Sequence, residues 1–106
     1  MGLFTFIKQP DINQGVRDYQ KAPRAVLLDV RTPQEYRSGH IPESKNVPLQ
    51  IIDMVGSVAN SKDTALYVYC QSGARSRQAA SQLKRRGYTN VNDIGGIASY
   101  TGKVER

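Results

Sequence analysis

Residues 64–87 read TALYVYCQSGARSRQAASQLKRRG, and this stretch decides the fold. TALYVYC is a short, continuous apolar run ending at Cys70. Such a run fits a strand covered on both faces, as in a parallel sheet. ARSRQAASQLKRR then puts Ala79, Ala80 and Leu83 on one helical side, with Gly87 to stop it. Working outward, AVLLDV at 25–30 reads as a second buried strand, closing on Asp29 and Arg31. TPQEYRSGH opens with Thr32 as N-cap, Pro33 at the first helical position and Glu35 three residues after the cap. INQGVRDYQ carries Ile12, Val16 and Tyr19 at helical spacing behind Pro10 and Asp11. NVPL and VNDI read as short strands. QIIDMVGSVA predicts a helix with Ile51, Ile52, Val55 and Val58 on its apolar stripe. Strands alternating with helices predict an α/β fold: a central, mostly parallel sheet of about five strands with helices on both faces. The length fits one domain spanning residues 1–106.

Composition narrows the class. The chain is 39% hydrophobic and 23% charged, ordinary for a globular protein. A single cysteine excludes an internal disulfide framework, a C-x-x-C redox pair and a thiolate zinc cluster. It also fits a reducing compartment. MGLFTFIKQP lacks the basic segment and cleavage pattern of a signal peptide, and Phe6 stands where a myristoylation motif wants Ser or Thr. No apolar run approaches the roughly 20 residues that span a bilayer. The expectation is an intact cytoplasmic protein with no membrane partner. Lys and Arg outnumber Asp and Glu 15 to 9, a net charge of +6. With few aromatics and no basic–aromatic motif, that charge does not predict nucleic acid as a partner.

In parallel sheets, ligands bind beyond the carboxyl ends of the strands. Three polar clusters fall at such ends: Asp29 with Arg31, Cys70 through Arg75, and Asp93 with Gly95 and Gly96. A lone cysteine ending a strand is by itself ordinary core filler. The residues after it change the reading. Gln71, Ser72, Gly73 and Ala74 are small or polar, and such a segment can curl into an anion nest of backbone N–H groups. The next helix starts near Arg75 or Ser76, aiming its positive end at the same place. Both features favour the charged, nucleophilic form of a thiol. Arg75 and Arg77 oppose the helix dipole where they stand, which points to an anion that they meet. Lys84, Arg85 and Arg86 lie at the other end, where the dipole favours them.

LLDVRTPQEYRSGHIPESKNVPL and YVYCQSGARSRQAASQLKRRGYTNVNDIGGIASYTG resemble the two signature regions of single-domain rhodaneses, the thiosulfate sulfurtransferase fold. The elements D-V-R, G-H-I-P, C-x-x-G-x-R-S and G-G-I occur in family order and spacing. Tyr100 departs from the tryptophan that many members carry after the double glycine. The resemblance implies that Cys70 accepts sulfur and that Gln71, Ser72, Gly73, Ala74, Arg75 and Ser76 form the loop cradling it. It implies that Arg75 binds an anionic donor and that Asp29 and Arg31 hold the loop by hydrogen bonds. His40, the single histidine, matches a structural position rather than one half of a Cys–His dyad.

The implied reaction moves a sulfane sulfur from a small anionic donor such as thiosulfate, through a Cys70 persulfide, to cyanide, an external thiol or a protein. It needs no metal or organic cofactor, and a chain of this size can act as a monomer. Two rivals share the fold. A cysteine phosphatase of this fold has one more residue in the loop before its arginine. A non-catalytic module would bind partners and has no need of Cys70, Gly73 and Arg75 together.

Overall fold

The computed structural model describes residues 9–106, so the reading of the first residues, Phe6 included, lies outside it. Helix α1 (Ile12–Lys21) starts where Asp11 caps it, its carboxylate accepting from the backbone N–H groups of Asn13 and Gln14 at 3.0 and 3.3 Å. Strand β1 (Val26–Asp29) leads to helix α2 (Pro33–Ser38). Thr32 and Glu35 form the expected capping box there, with Pro33 in the first turn. Strand β2 is only Lys45–Asn46, although the backbone N–H groups of Val47 and Leu49 still donate to the Asp29 and Val30 carbonyls at 2.9 and 3.0 Å. Strand β3 (Leu66–Cys70), helix α3 (Ala74–Arg85) and strand β4 (Val91–Gly96) complete the main elements, and a short 3-10 turn at Ile97–Ser99 follows.

The sheet has four strands among the described residues, one fewer than the five expected, in the order β2-β1-β3-β4. Every pairing is parallel. The two-residue period of the strands divides the core. Leu28, Leu66, Val68 and Cys70 face one side, where Ala79 and Leu83 of α3 pack. Leu27, Tyr69 and Ile94 face the other, against Ile12 and Val16 of α1. Tyr100 packs on this second cluster, consistent with a packing role for the aromatic at that position. Helices thus cover both faces, which is why the central strands β1 and β3 carry no solvated side. No helix among the described residues is long and apolar enough to cross a membrane.

One element departs from expectation. Residues Leu49–Ser57 form 3-10 helix, broken by non-helical dihedrals at Ile51 (φ −122°, ψ 34°), instead of an α-helix. A 3-10 helix has three residues per turn. Ile52 and Val55, three apart, are buried, and Val58 packs partly on the same cluster. Ile51 falls off that row and is 48% exposed.

Candidate active site

The loop is built by the junction of β3 and α3. Cys70 is the last strand residue, and α3 begins at Ala74 with Gly73 as its N-cap. Only Gln71, Ser72 and Gly73 make the turn, one residue shorter than a helix starting at Arg75. Gly73 sits at φ 103°, a conformation that costs glycine little and other residues much. That twist turns its backbone N–H onto the Cys70 sulfur at 3.0 Å. Cys70 itself is 1% exposed, so its sulfur lies at the floor of the loop.

The sheet supports the loop from below. A bulge at Ile94 of β4, opposite the step from Val68 to Tyr69, shifts the β3–β4 register, so that Cys70 lies beside Gly96. A Cβ at Gly96 would come within 2.3 Å of the Gln71 carbonyl oxygen and 2.6 Å of the Ser72 Cα. Gly96 is therefore the bed on which the cysteine loop rests, whereas Gly95 faces Pro10. The Ala98 N–H donates to that same Gln71 carbonyl at 3.1 Å. Ser76, fully buried, directs its hydroxyl to the Asp93 carboxylate at 2.7 Å, and the Gly95 N–H donates to the same oxygen at 3.1 Å. Asp93, which lies inside β4, thus ties α3 to that strand.

The segment after β1 holds the loop from the side. Asp29 and Arg31 are 0% and 3% exposed and pair at 2.7 Å. Burial works against the Arg31 charge, but the hydrogen bonds and charge of Asp29 outweigh it and raise its pKa above the ordinary arginine value. Arg31 also donates to the Gln71 side-chain oxygen at 3.3 Å and to the Gly39 carbonyl at 2.7 Å. Removing either partner would strand a buried charge, a loss of roughly 3–5 kcal/mol.

At the loop's far end, Arg75 donates to both Glu35 oxygens, at 2.7 and 3.0 Å. Those hydrogen bonds pull the Glu35 carboxyl down to about 2, with burial opposing and Thr32 assisting. The Arg75 guanidinium is therefore occupied by a protein carboxylate. Sequence reasoning finds Glu35 only as a capping residue, because its second partner lies 40 positions away. Parallel pairing of β1 with β3 brings the first turns of α2 and α3 together.

A cleft of about 580 Å³ opens beside the loop. Gln71, Ser72, Gly73 and Ala74 form one wall, and Arg77 and Asp93 line it as well. Neither Cys70 nor Arg75 is among its walls. His40 is engaged elsewhere: its Nδ1 is 2.9 Å from the Tyr36 carbonyl and its ring stacks on Tyr36 at 3.8 Å. Among the described residues, no cluster of His, Cys, Asp and Glu could hold a metal ion.

Comparison with known proteins agrees with this architecture. A family model of the rhodanese-like domain matches residues 13–103. The chain is 35% identical over 83 residues to the uncharacterized protein YqhL of Bacillus subtilis (strain 168), covering 77% of this chain and 65% of YqhL. It is 34% identical over 71 residues to the thiosulfate sulfurtransferase PspE of Escherichia coli (strain K12), covering 66% of this chain and 68% of PspE. Some other curated relatives are much longer: the chain spans 43% of one and 22% of another. A solved structure described as a rhodanese with anions from E. coli superposes with a TM-score of 0.72 at 29% identity, covering 77% of this chain and 98% of that one. The four-stranded parallel sheet, the cysteine loop at its carboxyl edge and the match over most of the sequence show that the chain belongs to the rhodanese-like domain family.

Proposed function

We propose that the protein is a sulfurtransferase that carries sulfur as a persulfide on Cys70. The observation that carries this reading is the Gly73 N–H aimed at the Cys70 sulfur at 3.0 Å, at the start of α3. That N–H and the helix end stabilise negative charge at one small spot. A thiolate and a terminal persulfide sulfur both present such a charge. The relative named a thiosulfate sulfurtransferase supports the chemistry, and the solved relative described with anions supports an anionic donor.

In the first half-reaction the Cys70 thiolate attacks the outer sulfur of thiosulfate. A new S–S bond forms at Cys70, and the donor's own S–S bond breaks, its electron pair leaving with sulfite. In the second, cyanide or an external thiolate takes the outer sulfur and the Cys70 thiolate returns. Neither step needs a general base once the thiolate is formed. With one cysteine in the chain there is no internal thiol to intercept the persulfide, so the acceptor comes from outside.

Intact mass after incubation with thiosulfate is the direct test. One added sulfur, removable by cyanide, is expected in the parent protein and none in Cys70→Ser. A Cys70→Ser protein that forms thiocyanate at the parent rate would overturn the assignment.

A further inference from the structure

Two arginines stand near the start of α3, where a cation opposes the helix dipole at a cost of a few tenths to about 1 kcal/mol. Their side chains go different ways. Arg75 is taken by Glu35, whose carboxylate offsets both its charge and its clash with the dipole. Arg77 is exposed, lines the cleft beside the cysteine loop, and has no side-chain hydrogen-bond or ion-pair partner among the described residues. The other charged group in the cleft wall is Asp93, whose carboxylate already accepts from the Ser76 hydroxyl and the Gly95 N–H. Arg77 is thus the uncommitted cation where the loop meets solvent.

We infer that Arg77, and not Arg75, receives the anionic end of the sulfur donor. This rests on the sulfur-transfer reading above and narrows it. The donor's sulfonate oxygens meet the Arg77 guanidinium in the cleft, and its outer sulfur reaches past the Gln71–Gly73 wall to Cys70, which does not itself line the cleft. Arg77 then holds the same oxygens as sulfite departs. Arg75 is a positioning residue: through Glu35 it fixes the loop's end against α2, as Arg31 fixes its beginning at Gln71. A pair of arginines that look equivalent in sequence divides into one that shapes the loop and one that selects the substrate.

Steady-state kinetics with thiosulfate and cyanide separates these roles. Arg77→Ala is expected to raise KM for thiosulfate about five- to tenfold, the size of one exposed charge-assisted contact, and to lower kcat less. Arg77→Lys should recover most of the loss. Arg85→Ala removes the same charge from the other end of α3 and should leave KM unchanged. An unchanged KM in Arg77→Ala overturns the inference. An equal rise in Arg85→Ala also overturns it, because the effect would then belong to net charge. A second measurement needs no turnover: sulfite binding to Cys70→Ser, followed through the amide NMR shifts of Gln71 to Ala74. Weaker sulfite binding when Arg77→Ala is added supports the inference, and equal binding overturns it. A parent protein that gains no sulfur, in a chain whose Cys70→Ser form still binds sulfite through Arg77, would sink the sulfur-transfer reading while leaving the anion site in place.

Discussion

Glu35 shows how much one residue can carry. Its carboxylate closes the capping box of α2 and grips Arg75 across the loop. Its folded pKa of about 2 lies below the ordinary carboxylate value of 4.5. A depressed carboxyl contributes stability that is full above the unfolded pKa and lost as pH falls through the folded one. The Glu35 contribution should therefore be constant near neutrality, shrink below pH about 4.5 and vanish near pH 2. Both partners are 32% exposed, so solvent screening keeps the pair's worth to about 1 kcal/mol or less. Glu35→Gln preserves the shape of the cap and removes the charge. Urea unfolding should show parent and variant separated at pH 7 and converging near pH 2. A gap that stays the same at both values would mean that the carboxylate charge contributes nothing. Sequence reading placed Cys70, Gly73, Arg31 and Ser76 at the site because each lies near a strand end or a helix start. It could not assign Arg75 to Glu35, since a capping signal is local and the ion pair depends on two strands lying side by side.

The elements themselves differ in how openly the sequence declares them. β1, β3 and α3 announce themselves through continuous apolar runs, a clear stripe and Gly87. The segment Leu49–Ser57 does not, because Ile51, Ile52, Val55 and Val58 can be drawn on either an α or a 3-10 period over so short a span. The two drawings assign Ile51 oppositely, and it lies outside. Ile52→Ala should cost about 2–5 kcal/mol, as for other large-to-small changes in a packed core. Ile51→Ala should fall within about 0.5 kcal/mol of the parent. Chemical denaturation of the two variants checks the register, and similar losses at both positions would argue for the continuous α-helical stripe. The bulge in β4 is equally hidden: VNDI reads as the whole strand, yet both glycines after it belong to the ladder.

At the scale of the molecule, the site is a meeting of parts that belong to no single element. β1 supplies Asp29 and the Arg31 that follows it, α2 supplies Glu35, β3 the thiol, α3 the arginines and Ser76, and β4 the bed of glycine. The parallel α/β pattern predicted that convergence, while the partners within it came only from packing. One outcome is a narrow chemistry. In a paired assay at equal protein concentration, thiosulfate with cyanide should turn over and an aryl phosphate should not. A phosphoryl group brings three oxygens that each need donors, and among the described residues one backbone N–H, that of Gly73, donates to the Cys70 sulfur. Aryl phosphate hydrolysis that depends on Cys70, with no thiocyanate formed, would overturn that view. The bed under the loop gives the narrowness a history. A Cβ on Gly96 would strike Gln71 and Ser72, so the floor has no slack even for a methyl group. A lineage inserting a residue into this loop could not let it sink and would have to lift it away from the strand beneath. A roomier pocket is therefore reached by raising the loop above the sheet, never by deepening its floor.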